Sequence, residues 1–150
     1  MALVTAMMAI LMMLALGAGM TLTAVTEMAI SANHRDGIQM LYAAEAGIDL
    51  AVSRLRATED WRAATTAPNG TAFLQGHLAD FVPSGAVDSR IELTVSVSPD
   101  PDGNADVLVL QSRAGAPAGA RRDVEVTIRR RAAGDDGTAR TIETLSWRER

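Results

Sequence analysis

Four oxygen-bearing side chains stand at alternate positions in Asp100-Pro101-Asp102-Gly103-Asn104-Ala105-Asp106. This D-x-D-x-N-x-D spacing is that of the first half of a calcium loop, in which carboxylates and carbonyls supply about six to eight oxygens to a hard cation. The pattern departs from the EF-hand: glycine falls two places early, at Gly103, and the twelfth position is Gln111 rather than Glu. A polar hairpin turn demands the same residue types, because Asp and Asn bond nearby backbone while Pro and Gly set its dihedrals. Two readings therefore stand side by side: calcium held by Asp100, Asp102, Asn104 and Asp106, or a turn that needs no cofactor. Gly134-Asp135-Asp136-Gly137 is also acidic and reads as a turn alone.

Little else in the chain suggests chemistry on a substrate. His34 and His77 are distant in sequence and have no nucleophile beside them. There is no glycine-rich phosphate loop, serine elbow or paired-histidine metal motif. Cysteine is absent, which excludes a disulfide framework, thiol catalysis and cysteine-based zinc sites. Arg121-Arg122 and Arg129-Arg130-Arg131 are basic clusters at the ends of candidate strands, where charge guards an edge against aggregation. With a net charge of −4 and 3 % aromatics, direct contact with nucleic acid is not expected. The residue inventory points to a structural protein rather than an enzyme.

The elements that position these residues begin with an uncharged run. Met1 through Thr26 carries no charged side chain, and Glu27 is the first charge. As a helix the run would be about 39 Å long, enough to cross a hydrocarbon core of about 30 Å. Read as a cleaved secretory signal, it lacks a basic start and exceeds the usual apolar core of about 7–15 residues. A cut after Ala15-Leu16-Gly17 would also leave an apolar stub. A plain signal anchor satisfies the length. A third reading carries the same helix onward and gives it a role in assembly.

The following segment favours that third reading. No proline occurs before Pro68, and Leu41, Ala44, Ile48, Val52 and Leu55 draw one stripe at three-and-four spacing. Thr65 to Gly70 then gathers turn formers. The expectation is one helix of more than 50 residues, about 80 Å long, apolar all round at first and amphipathic later. Gly17 and Gly19 each cost roughly 1 kcal/mol of helix propensity relative to Ala, so they serve either close helix packing or a hinge.

Beyond the helix, Phe73, Leu74, Leu78, Phe81 and Val82 suggest a short helix or turn packing back on it. Ile91, Leu93, Val95 and Val97 alternate with polar residues and predict a half-buried strand. Val107–Leu110 reads as a central strand, Arg122–Arg130 alternates again, and Thr141–Trp147 makes a last strand with Leu145 and Trp147 on one face. The connectors Pro99–Asn104, Ala114–Ala120 and Ala133–Gly137 suit hairpins. The expected domain is α+β: the long N-terminal helix packed on a roughly four-stranded antiparallel sheet.

The run MALVTAMMAILMMLALGAGM, then TEMAISANHRDG, then Leu41-Tyr42-Ala43-Ala44-Glu45-Ala46-Gly47, resembles the N-terminal region of PilX-type minor pilins of type IV pili. The Ala-Leu-Val opening is shared with the related tip pseudopilins of type II secretion. The resemblance implies a type IV pilin-like fold and a prepilin whose short basic leader, ending in Gly, is removed by a membrane peptidase. Met1 would then be the first mature residue and the site of N-terminal methylation; no such leader precedes it in this sequence. It further implies that Thr5 stands where most major pilins have a Glu, thought there to pair with a neighbour's N-terminal amine. A subunit lacking that charge suits a filament tip.

The sequence thus divides into residues 1–26, a transmembrane and assembly half-helix; 27–60, its amphipathic continuation; and 61–150, a small sheet domain. On the resemblance, the partners are other minor and major pilins, the prepilin peptidase, the inner-membrane assembly platform and, before assembly, membrane lipid. The protein would be a single-pass inner-membrane protein with its sheet domain in the periplasm, and would later join a pilus at the cell surface, priming assembly or capping the tip. The alternatives are a signal-anchored periplasmic domain that binds a ligand or calcium without polymerising, and a minor pseudopilin of type II secretion.

Overall fold

With no proline to remove a backbone donor, the N-terminal segment forms a single helix, α1 (Ala2–Ala57), in the computed structural model. Two short helices, α2 (Trp61–Thr65) and α3 (Leu78–Phe81), and five strands follow: β1 (Leu74–His77), β2 (Glu92–Pro99), β3 (Val107–Gly115), β4 (Arg121–Arg131) and β5 (Thr141–Glu149). The structure describes residues 2–58, 61–65, 73–82, 90–117, 119–131 and 141–150. Two compact units result, Met1–Asp36 and Gly37–Arg150. The boundary falls ten residues after Thr26, so the first unit includes the first charged turns of the helix.

Within the first unit, the large apolar side chains from Leu3 to Ile30 are all between 58 and 75 % exposed. None is buried among the described residues. Four threonines interrupt the apolar run, and each returns its hydroxyl to the helix: Thr5 to the Ala2 carbonyl, Thr21 to Gly17, Thr23 to Gly19 and Thr26 to Leu22, at 2.8–3.0 Å. Threonine is suited to this bond because its Oγ1 reaches the carbonyl three or four residues back.

In the second unit the sheet is an antiparallel meander, with spatial order β1-β2-β3-β4-β5. Its registers place Val95, Ser112 and Val124 in one row, and Val97, Leu110, Val126 and Trp147 in the next. Period-two alternation puts these side chains on one face and Thr94, Ser96, Gln111, Glu125 and Thr127 on the other. Leu93, Val95, Leu110, Val124 and Ile128 are fully buried beneath α1. At roughly 1.5–3 kcal/mol for each large side chain, this face supplies the main stabilisation of the unit.

The buried side of α1 is Met40, Ala43, Ala44, Gly47, Ile48, Ala51 and Leu55. This stripe is rotated from the sequence expectation: Leu41 and Val52 lie half-buried on its flank, while Ala43, Gly47 and Ala51 lie at its centre. The helix settles where its side chains are smallest, because close backbone approach increases the contact made by every neighbour. Gly37 lies beside Arg122 of β4, and Gly47 lies over Ser112 of β3 and Leu93 and Val95 of β2. Arg54 stacks 5.7 Å from the Phe81 ring of α3. The helix therefore crosses the face obliquely from β4 towards β1 and leaves β5 uncovered.

The sheet contains the four expected strands and one more. β1, only four residues long, pairs with the start of β2 inside the stretch expected to be helix or turn; α3 follows it directly. Trp147 lies on the inner face opposite Val126. Leu145 falls where the β4–β5 register slips, between Thr144 opposite Ile128 and Ser146 opposite Thr127. With no helix above them, Leu145 and Trp147 are 41 and 48 % exposed.

Candidate functional site

The motif Leu41–Gly47 divides between two directions. Ala43, Ala44 and Gly47 face the sheet, Leu41, Glu45 and Ala46 are intermediate, and Tyr42 is 66 % exposed on the far side of the helix. A Cβ at Gly47 would lie 2.5 Å from Ser112 Oγ, 2.7 Å from Leu93 Cδ1 and 3.1 Å from Val95 Cγ2. Only glycine fits this approach. The glycine of the motif is thus a packing element, and Tyr42 is the part of it offered outward.

Gly17 and Gly19 are different. Nothing lies within 4 Å of a Cβ built at either. Their carbonyls each accept a threonine hydroxyl, from Thr21 and Thr23, in addition to their place in the helix. Thr5 is likewise internally bonded and brings no charge to the N-terminal turn. Met1 lies outside the described residues.

The acidic turn holds itself together. Gly103, at φ +78°, donates its backbone N–H to the Asp100 carbonyl at 3.0 Å. Asn104 Oδ1 accepts from the Asp106 backbone N–H at 3.1 Å, and the Asp106 carboxylate pairs with Arg130 at 3.2 Å. Asp100 is half-buried and Asp102 exposed. Among the described residues, no three Asp, Glu, His or Cys side chains converge as a metal site would require. These bonds are those of a hairpin connection between β2 and β3. The second acidic stretch, Gly134–Gly137, lies outside the described residues.

The arginines take part in ion pairs along the strands. Arg113 grips Asp123 with three N–H···O contacts of 2.8–3.1 Å, and this hydrogen bonding, with the carboxylate charge, raises its pKa above the ordinary guanidinium value. Arg131 pairs with Glu143 at 3.0 Å and Arg150 with Glu125 at 2.9 Å. All are at least partly exposed, so each contributes about 1 kcal/mol or less. His34 is exposed on α1; His77 is exposed at the end of β1, where its backbone N–H donates to Asp80 Oδ2 at 3.0 Å.

Two arrangements had no sequence signal. Trp61, only 2 % exposed, donates Nε1–H to the Leu55 carbonyl at 3.3 Å and supports Arg130, whose guanidinium lies 5.2 Å from the ring. Asp106, Arg130 and Trp61 thereby tie the acidic turn to the end of α1. Ser112 Oγ is buried against Gly47 and has no hydrogen-bond partner among the described residues. Both depend on residues far apart in the chain, which no local pattern brings together.

α1 contains a stretch long and apolar enough to cross a membrane. Residues 1–49 match the family model described as PilX N-terminal. The match covers the first third of the chain and ends two residues beyond Gly47. No curated protein and no solved structure matches the chain.

Proposed function

We propose that this chain is a minor pilin of PilX type, held in the inner membrane by the first half of α1 until it is drawn into a type IV pilus-like filament. The observation that carries the reading is a family match that spans a change of character along one helix. The family match spans residues 1–49, and over those residues α1 passes from exposed apolar side chains to the buried contacts of Met40, Ala43, Ala44 and Gly47. A helix built this way is soluble in lipid at one end and committed to its own sheet at the other. Its bare apolar surface suits either a bilayer or a bundle of similar helices.

The internally bonded threonines support exchange between those settings, because leaving lipid exposes no polar group that must find a new partner. On this reading Thr5 replaces the shaft subunits' Glu, and the subunit enters at the tip, priming assembly or capping the filament. Its partners are other minor and major pilins along α1, with the prepilin peptidase and assembly platform acting before them. The sheet domain faces the periplasm, Met1 is the methylated first residue, Gly17 and Gly19 serve as a point of bending, and no catalysis is assigned.

Mass spectrometry of sheared, purified filaments tests the proposal. The expected result is this chain among the minor components, with a methylated amine on Met1, and a gene that encodes a short basic leader ending in Gly directly before it. A chain absent from the filaments and unmethylated in the membrane fraction would overturn the proposal in favour of a signal-anchored domain.

A further inference from the structure

In the apolar half of α1, Ala15, Gly19 and Thr23 recur every four residues and form one row along the helix, flanked by the ridge of Met12, Leu16 and Met20. The row is a shallow groove. Nothing lies within 4 Å of a Cβ built at Gly19, and the Thr23 hydroxyl donates back to the Gly19 carbonyl at 3.0 Å, so the floor offers no free donor. The next residue of the same row is Glu27, which closes the groove with a carboxylate. Two further steps of four reach Ser31 and Arg35. Neither Glu27 nor Arg35 has an ion-pair partner among the described residues. Eight residues, about 12 Å of helix, separate them, and they do not pair with each other.

A bundle of apolar helices makes a lone carboxylate costly, because a charge taken out of water without a counter-charge keeps its whole desolvation penalty. Arg35 is the only arginine in residues 2–36, and the chain has no lysine. A neighbour of the same kind therefore meets Glu27 with Arg35. Orientation follows from which residues are free. In an antiparallel pair, Arg35 opposite Glu27 would set residues 15–23 against residues 47–39 of the neighbour, where Met40, Ala43, Ala44 and Gly47 are already buried against their own sheet. In a parallel pair the same ion contact sets residues 15–27 against residues 23–35, and none of these is buried. At about 100° per residue, Arg35 lies about 80° round the helix from Glu27, so the side that gives and the side that receives differ. Such a contact is heterologous: a copy that lends its Arg35 keeps its own Glu27 for the next.

We propose that the groove of Ala15, Gly19 and Thr23 receives the α1 of a second copy, parallel and set back by eight residues, or about 12 Å, with the second copy's Arg35 on Glu27. This rests on the filament reading above and deepens it by naming one neighbour within the bundle. The groove supplies close packing, which many apolar helices can exploit. The ion pair supplies register, because a slip of one turn would leave both charges buried without a partner.

The test uses the full chain reconstituted in phosphatidylcholine vesicles, with flotation establishing anchoring independently. The chain has no cysteine, so introduced thiols report only the contact between copies. Thr23→Cys and Ser31→Cys stand one turn before Glu27 and Arg35. Oxidation of a mixture of these two variants should give a 23–31 disulfide between copies, with little product from either variant alone. Adding Arg35→Gln to both should lower that yield at least about tenfold. Reversing both charges, Glu27→Arg with Arg35→Glu in every copy, should restore it. Floating vesicles with no 23–31 product, with a 23–23 product as strong as the mixed one, or with a yield indifferent to these charges would overturn the staggered docking while leaving anchoring intact. Failure to float would overturn the membrane-held reading, and the docking with it.

Discussion

Replacing Gly47 with alanine pits two effects of opposite sign against each other. Alanine in a helix interior is favoured over glycine by about 1 kcal/mol, and at an open position Gly47→Ala would stabilise. Here the new methyl would lie 2.5 Å from Ser112 Oγ and 2.7 Å from Leu93 Cδ1, both of which are fully buried residues with little room to retreat. Overpacking costs about 1–3 kcal/mol, and approaches this close lie in its upper part, about 2–3 kcal/mol, so the expected net loss is roughly 1–2 kcal/mol. For a unit of this size that is a fall in melting temperature of about 3–10 °C. Thermal unfolding of the full chain in detergent, followed by near-ultraviolet circular dichroism at the buried Trp61, provides the assay. Ser112→Ala removes both the closest atom and a buried hydroxyl without a partner, so the double variant should recover at least about half the loss. If Gly47→Ala were as stable as the parent, the close approach of helix and sheet would be wrong.

Other outcomes follow from the same structure. Trp61→Ala removes a buried ring, the support of Arg130 and the hydrogen bond to Leu55, and should cost about 3–5 kcal/mol by chemical denaturation; a loss under about 1 kcal/mol would refute its place in the core. Thr5→Glu puts a carboxylate into the apolar run at a cost of about 2–3 kcal/mol in lipid. On the tip reading, labelled Thr5→Glu subunits should spread along filaments where the parent labels only ends, and unchanged end-labelling would count against the tip assignment. Calcium titration separates the two readings of the acidic turn. A self-bonded turn gives no change in melting temperature, whereas a rise abolished by Asp102→Ala would assign the loop to a cation. The Arg113–Asp123 pair should contribute equally throughout the neutral range. Its raised guanidinium pKa means that the stabilisation is present below the unfolded value and lost only as pH rises through the folded one, well above neutrality. The stability difference between parent and Arg113→Met should therefore be flat with pH and under about 1 kcal/mol.

Local patterns made much of the fold legible. The proline-free run announced α1, and the alternation at Leu93, Val95 and Val97 and again at Val124, Val126 and Ile128 announced β2 and β4 with the correct buried faces. β1 had no such signal: Leu74–His77 is too short to alternate and contains a glycine, and only pairing with Glu92–Val95 makes it a strand. The rotation of the buried stripe from Leu41 and Val52 to Ala43, Gly47 and Ala51 was equally hidden, because hydrophobic periodicity weights large side chains while close packing favours small ones. Leu145 and Trp147 read as an inward strand face, and Trp147 does point inward. Its exposure follows from the oblique course of α1, a relation between elements that β5 alone does not encode. In the candidate site, the threonine back-bonds are local and could be anticipated, whereas the partners of Gly47 lie 46–65 residues away.

The sheet order, in which each strand pairs with the one before it, has a kinetic consequence. A chain emerging from the ribosome delivers its segments in sequence, and here every arriving strand finds the edge it needs already formed. The connections are local, between 5 residues (β3 to β4) and 14 (β1 to β2, which includes α3), so each addition forfeits little chain entropy and requires no earlier pairing to be undone. α1, delivered first, waits as the surface on which the growing sheet condenses. The architecture can therefore be completed by vectorial zipping while its first residues are already committed to lipid.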